Sequence, residues 1–410
     1  MEKKPEVKIL KQNSDLFDVL LLCLCVLSVF FIIWTFTGNW PWKGNPYNSY
    51  FLQAQSWLHG RLDVDERSWL ELAIFKGKYF ISFPPFPSYI MLPFAAIGWE
   101  TCDGFLALAS ALTGAIYAYK LAKSFNKSGY NAIFWSLFAV IGTNILFVSV
   151  VPWVWFIAQN MCFALTVMAL YYARTGKGGI SFAAWACAVG CRPFSVFSVF
   201  PILFLLYDNV KDKYQDKNVI EIIIAHWKWY IAPVAIALSY MILNAARFGN
   251  PLEFGHNYLP EFTDAEHGQF WLGYIAENAK NLFKLPPVNS DGIFEYPAFN
   301  GFCLFYVSPL FVTYVIYSLC ALVKQNEVSK IAMLIIALAV ISELLCLTAH
   351  KTMGGSQFGN RYTNDVLPLV LLGIMLCPVN DKKNDFWNSP LLLFGFALNL
   401  VGTVMYYARY

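Results

Sequence analysis

The sequence is short of charge. Asp, Glu, Lys and Arg make up 13% of its 410 residues, against about 25% in soluble globular domains. With 58% apolar residues beside it, that shortage excludes an ordinary water-soluble domain and points to the membrane class. The net charge of +3 is too small for a nucleic-acid partner. Metal-ligand spacing is also missing. The ten cysteines are scattered, most of them inside apolar runs (Cys23, Cys25, Cys162, Cys187, Cys320, Cys346, Cys377). Cys187 and Cys191 form a CxxxC pair without His or Cys partners, so they read as small apolar residues and not as a zinc site or disulfide framework. There is no internal repeat, no low-complexity tract and no separate soluble domain. Residues 1–410 read as a single membrane-embedded unit.

What the sequence has is long apolar runs, whose direction follows from Lys and Arg bias. Val19 to Phe36 is longer than a signal-peptide core, and Thr37-Gly38-Asn39-Trp40 is a poor cleavage site, so an uncleaved first span is expected. Lys3, Lys4, Lys8 and Lys11 hold the tail in the cytoplasm, and the chain exits near Trp40. The apolar piece Ser88 to Gly98 falls short of the ~20 residues a crossing needs, so it is placed on the outer surface. Spans at 104–122, 132–151 and 156–172 follow, delivering Lys120, Lys123, Lys127, Arg174 and Lys177 to the cytoplasm. Pro152-Trp153-Val154-Trp155 reads as an outer aromatic belt. The stretch 182–207 is interrupted by Gly190-Cys191-Arg192-Pro193, which breaks a helical ladder. A broken hairpin with Arg192 at its tip keeps the later basic loops, Lys324 to Lys330 and Asp381-Lys382-Lys383, inside. Spans at 229–245, 302–323, 331–349, 366–378 and 391–407 complete an all-α polytopic membrane protein with about eleven crossings.

Three polar stretches then face outward: 38–103, 247–301 and 350–365. In the first, Tyr47, Tyr50, Phe51, Ala54, Trp57 and Leu58 share one face of an amphipathic interfacial helix, with Gln53, Gln55 and His59 elsewhere around it. A second surface helix is expected over Arg67 to Phe75, ahead of a Lys76-Gly77-Lys78 turn. In the second stretch Gly249-Asn250-Pro251 marks a turn, followed by His256 and Asn257.

Five segments, in this order, resemble one family: "NPYNSYFLQAQSWLHGRLDVD", "WLELAIFKGKYFISFPPFPSYIMLPF", "VGCRPFSVF", "RFGNPLEFGHNY" and "FGNRYTNDVLPLVLLG". Together they are similar to integral membrane C-type glycosyltransferases, the bacterial polyprenyl-phosphate-sugar-dependent mannosyl- and arabinosyltransferases, over roughly residues 15 to 375. The resemblance implies a multi-span cell-membrane enzyme with a catalytic carboxylate in its first outer loop. It also implies a sugar donor carried on polyprenyl phosphate, and a glycan, lipid or protein acceptor. Family members carry an acid immediately after the first span. Here that place reads Asn45-Pro46-Tyr47-Asn48, which leaves the task to Asp63, Asp65, Glu66 or Glu71.

Attack of a hydroxyl on an anomeric carbon needs a base, and a positioned carboxylate supplies one. Asp63 is the first choice and Glu71 the second. A departing phosphate needs charge stabilisation, for which the planar fork of Arg suits two oxygens better than Lys. Arg192, Arg361 and Tyr362 are the candidates, with Lys78 as an attractor of the anionic donor. Tyr47, Tyr50, His256 and Asn257 are assigned to the acceptor or to lipid. No motif demands a cofactor, and a divalent metal, Mg or Mn, stays open as a source of positive charge. Each residue has a plainer reading. The 63–71 acids also suit a solvated face, Arg192 a snorkelling cation, Arg361-Tyr362 an interfacial anchor, and Glu343 a partner for an Arg or a residue near the outer end of its span. The competing functions are a lipid or lipid-linked-sugar transporter, disfavoured by a single break without repeats, and an inactive sugar-lipid-binding relative.

Overall fold

The computed structural model describes residues 5–214, 218–286, 288–292, 298–324, 327–377 and 387–409. The loop lysines Lys382 and Lys383, the tail residues Lys3 and Lys4, and Pro378 lie outside the described residues. Helices dominate. In chain order they are α1 (Pro5–Thr37), α2 (Ser49–Leu58), α3 (Phe86–Ala96), α4 (Cys102–Ser124), α5 (Gly129–Val140), α6 (Ile145–Val150), α7 (Val154–Arg174), α8 (Gly178–Val189) and α9 (Val199–Val210). After them come α10 (Val219–Ala225), α11 (Ile231–Phe248), α12 (Pro260–Thr263), α13 (Tyr274–Phe283), α14 (Leu304–Val307), α15 (Leu310–Lys324), α16 (Glu327–Thr348), α17 (Leu367–Leu376) and α18 (Ser389–Tyr407). Two small antiparallel sheets complete the fold: β1 (Leu72–Phe75) with β2 (Lys78–Ile81), and β3 (Ala298–Phe299) with β4 (Ser356–Gln357).

Seven helical segments are long and apolar enough to cross a membrane. Shorter apolar helices, α3, α5, α8, α15 and α17, lie among them. This is a multi-pass membrane protein. A core of apolar side chains, with Trp135, Phe138 and Phe147 fully buried, runs through α1, α4, α5, α7 and α15 to α18.

The bundle has two distinguishable ends. At one lie Arg174 and Lys177, just past α7. At the other, Val154 N–H donates to the Tyr47 carbonyl, and Asn45 donates to both Asp103 Oδ2 and the Pro152 carbonyl, 2.8 Å each. That second, loop-rich end holds the segment 38–103. α3 stays there. Its first N–H, on Phe86, bonds the Gly190 carbonyl at 3.0 Å, and its far end runs into Trp99 and α4, whose Asp103 binds Asn45.

α8 and α9 form the broken hairpin. α8 starts four residues beyond Arg174, and α9 returns to the same place, where Asn209 Nδ2 donates to the Ala173 and Arg174 carbonyls at 3.1 Å. Gly190, Cys191 and Arg192 therefore form the tip at the loop-rich end. Gly190 is required there, because a Cβ would lie 2.1 Å from the Tyr240 hydroxyl.

Three expectations are corrected. The surface helix over Arg67 to Phe75 is instead a β-hairpin: Lys76 and Gly77 both take positive φ, 49° and 72°, the conformation of a two-residue hairpin turn, and Leu72 pairs with Ile81. The span over 132–151 is two helices, α5 and α6. Gly142-Thr143-Asn144 breaks it because the Gly142 carbonyl packs against Gly395, where a Cβ would lie at 2.2 Å, and Asn144 N–H turns to Ser308 Oγ at 3.1 Å. Finally, α2 does not keep its polar residues apart, since Gln53 is buried and accepts from Ser88 Oγ at 2.8 Å. α2 does end at Gly60 with φ +71°, through Gly60 N–H to the Trp57 carbonyl and Arg61 N–H to the Ser56 carbonyl, a Schellman closure.

Arg61→Cys and Glu100→Cys, on either side of α3, are expected to react with a membrane-impermeant maleimide from the same side, and Lys177→Cys only from the opposite one. Labelling of Glu100→Cys from the Lys177 side would show that α3 crosses.

Candidate functional site

The loop-rich end opens into a cavity of about 710 Å³. Its base is built on the tip of the α8–α9 hairpin and on the segment 354–362 that precedes α17. Arg192, at the tip, donates from Nε and Nη2 to Asp365 Oδ2, 2.8 Å each. Asp365 is fully enclosed, so this is a buried ion pair, whose charges are tolerated because they are matched. Arg361, 6% exposed, has no carboxylate within salt-bridge distance among the described residues. Its Nε and Nη2 share the Gly354 carbonyl at 3.2 and 3.0 Å. Each guanidinium carbon lies 5.0 Å from the centroid of the Tyr362 ring, a cation–π arrangement that partly offsets the desolvation of both cations.

Acidic groups stand across the cavity. Glu71, just ahead of β1, accepts at Oε2 from the Trp155 indole N–H at 2.8 Å. Its side chain touches solvent through the open mouth yet is surrounded by protein. Burial raises its carboxyl above the ordinary carboxylate range, against the Trp155 bond and the Arg361 charge, which lower it. Glu261 is raised as well, first by burial and then by Glu71 itself. Glu253 is occupied, accepting from Gly255 N–H and from Asn257 Nδ2. His256 donates Nδ1–H to the Ser82 carbonyl at 2.6 Å, and burial pushes it down to about 4. Burial likewise pushes His350 down to about 3. Both imidazoles are neutral at pH 7 and add no charge. Tyr50, 1% exposed, reaches the cavity with a hydroxyl that has no hydrogen-bond partner among the described residues.

This arrangement holds an uncompensated buried cation and an orphaned hydroxyl at one side, and a proton-accepting carboxylate at the other. It suits an anionic, oxygen-rich ligand whose reaction needs a base. Among the described residues no group of three or more His, Cys, Asp or Glu is disposed to hold a metal, so a metal has no ready-made ligand set there.

No protein-family model matches the sequence, and no curated protein matches it significantly. Among solved structures, the chain is similar to ArnT from Cupriavidus metallidurans bound to undecaprenyl phosphate, with a TM-score of 0.50 and 13% identity, covering 92% of this chain and 62% of that one. The chain has an ArnT-like fold. ArnT is a C-type glycosyltransferase, so the fold is the one that the resemblance implied.

Eight of the ten residues singled out from the sequence line the cavity of this ArnT-like fold: Tyr47, Tyr50, Glu71, Arg192, His256, Asn257, Arg361 and Tyr362. Asp63 and Lys78 do not. Asp63 pairs instead with Arg61 at 3.1 Å and Lys78 at 3.7 Å on the outside of the hairpin. Trp153 and Trp155 line the cavity wall. Glu343 is 0% exposed in α16, and neither oxygen has a hydrogen-bond partner among the described residues. The Arg within its electrostatic reach, Arg192, is bonded to Asp365 instead. Sequence reading missed Asp365, Glu261, Glu253 and His350, although the first three lie inside or beside quoted motifs.

Removing one partner of a buried pair strands the other charge, at about 3–5 kcal/mol. Asp365→Ala should therefore lower the melting temperature in detergent sharply, and Arg192→Met with Asp365→Leu should recover most of the loss. Equal melting of all variants would show the pair is not enclosed.

Proposed function

We propose that the protein transfers a sugar from a polyprenyl-phosphate donor to an acceptor at the outer face of the cell membrane. The single observation that carries this reading is Arg361, a buried guanidinium without a carboxylate, facing the same cavity as the Trp155-held carboxylate of Glu71. The lysine bias of the sequence puts the loop-rich end outside. The polyprenyl chain lies in the membrane, and its phosphate reaches the arginines at the hairpin tip.

In this mechanism Arg361 binds the donor phosphate, and Arg192, fixed by Asp365, adds positive charge beside it. Both interactions strengthen as the sugar–phosphate bond breaks and negative charge collects on the leaving oxygens. Tyr50 donates its free hydroxyl to the same phosphate. Glu71 takes the proton from the acceptor hydroxyl as that oxygen bonds the anomeric carbon. Its raised carboxyl makes it a stronger base than an exposed Glu, since proton affinity rises with pKa. ArnT bound to undecaprenyl phosphate supports the lipid class of the donor through the shared fold.

The test uses full-length protein in nanodiscs with a panel of radiolabelled polyprenyl-phosphate sugars and a membrane extract. Glu71→Gln is expected to lose about 10²–10⁴-fold in turnover while still binding undecaprenyl phosphate, and Asp63→Asn to stay near wild type. If no label moves although the lipid binds Arg361-dependently, the protein is a sugar-lipid-binding relative and not a transferase.

Glu71 must be ionised to act, so kcat/KM should fall as pH drops through a midpoint above the ordinary ~4.3 of glutamate. Trp155→Phe removes a bond to the charged form and should move that midpoint further up. An unmoved midpoint would take the base away from Glu71.

A further inference from the structure

Glu71 is fixed from two sides, and both lead back to the same short segment, Asn45-Pro46-Tyr47. On one side the Trp155 indole N–H donates to Glu71 Oε2 at 2.8 Å. The Trp155 ring packs on Tyr47 with centroids 5.1 Å apart, and Trp153 stands edge-on to Tyr47 at 5.2 Å. The backbone between these tryptophans is tied to Tyr47 as well, through Val154 N–H to the Tyr47 carbonyl at 3.2 Å. On the other side Trp69, just ahead of Glu71 in the chain, donates its indole N–H to the Pro46 carbonyl at 3.1 Å.

The segment is itself pinned from outside the cavity. Every polar atom of the Asn45 side chain is engaged. Its Nδ2 donates to Asp103 Oδ2 and to the Pro152 carbonyl, 2.8 Å each, and its Oδ1 accepts from Tyr47 N–H at 2.9 Å. Asp103 is 1% exposed in the first turn of α4, and its other oxygen accepts from Gly104 N–H at 2.8 Å. Gly104 leaves room for the Pro41 carbonyl, which lies 2.1 Å from where a Cβ would stand. Neither Asp103 nor Asn45 lines the cavity.

Resting on the transferase reading, we propose that Asp103 and Asn45 are positioning residues for Glu71. The buried carboxylate orients the Asn45 amide, the amide sets Tyr47, and Tyr47 sets the indole that holds the base. A carboxamide supplies both the donors and the acceptor that this junction needs. A carboxylate at position 45 would face Asp103 with like charge and offer no proton to Pro152. The Asn that stands where the family resemblance implies an acid thereby has a task of its own. A misplaced base slows the chemical step without weakening substrate binding, so the loss falls on kcat.

The experiment uses the full chain in nanodiscs, labelled with fluorotryptophan, and the Trp155 fluorine resonance is the one missing from Trp155→Phe. Transfer from radiolabelled polyprenyl-phosphate sugars gives kcat and KM, and native mass spectrometry follows undecaprenyl phosphate binding. Asp103→Asn keeps the side-chain shape but puts an N–H group where one of its two acceptors stood. It is expected to move the Trp155 resonance and to lower kcat about 10–100-fold, with KM and lipid binding as in wild type. Asn45→Asp should do both more strongly. The exchanged pair, Asn45→Asp with Asp103→Asn, restores the bond between the two side chains with its direction reversed. It should bring both readouts back above either single variant. An unmoved Trp155 resonance or an unchanged kcat in Asp103→Asn would overturn the assignment, as would a loss of lipid binding in step with kcat. So would an exchanged pair no better than Asn45→Asp alone, or a rise in turnover in Asn45→Asp. If no label moves in the wild-type protein, the transferase reading fails. The resonance, and its recovery in the exchanged pair, then still decide whether Asp103 and Asn45 set Trp155.

Discussion

The structure depends on keeping two guanidinium groups charged inside an apolar bundle. An unmatched buried ion is among the most expensive things a protein can hold, and the local architecture offsets part of that cost for each cation. Asp365 matches Arg192. The Tyr362 ring serves both cations. Arg361 leans on one carbonyl, that of Gly354, whose φ of +97° and whose lack of a Cβ let the backbone come so close: a Cβ there would sit 2.9 Å from Arg361 Nε. The β3–β4 pairing and the Gly301–Gly359 contact, where a Cβ would meet a carbonyl at 2.4 Å, hold that segment in place. The break between α8 and α9 delivers Arg192 to the same spot.

Much of this architecture was legible in the sequence because it rests on inventories that sequence alone records. Apolar runs located the membrane helices, and the Gly-Cys-Arg-Pro interruption located the hairpin tip, because a proline and a costly cation in an apolar run demand a structural answer. Eight of the ten candidate residues reached the cavity wall for a similar reason: polar residues in the loops of an apolar protein gather at its loop-rich end. What was not legible depended on pairing across the chain. Asp63 and Glu71 are eight positions apart with similar neighbours in sequence, yet one ends in an exposed ion cluster and the other beside Trp155. Only the β-hairpin register decides that, and the stretch around Leu72 reads as well as a helix as it does as a strand. Asp365 looked like one polar residue in a motif until its partner, 173 positions away, came beside it.

The cavity separates charge as well as shape. The neutral imidazoles of His256 and His350 leave the arginines as the positive groups of the cavity wall. Water that enters the mouth reaches Glu71 but not the Asp365 carboxylate. The two carboxylates thus sit in environments of different polarity within one space.

The short helices carry a consequence for how the chain is made. α8 and α17 have 12 and 10 residues, too few to cover a ~30 Å hydrocarbon core by themselves. Helices of α7's length enter a bilayer independently, each with its backbone satisfied. The short pair cannot leave the insertion machinery on those terms, and each must be laid against helices already in place. Because these two helices flank Arg192 and Arg361, the charged site is held by the parts of the bundle that depend most on their neighbours for a place in the membrane.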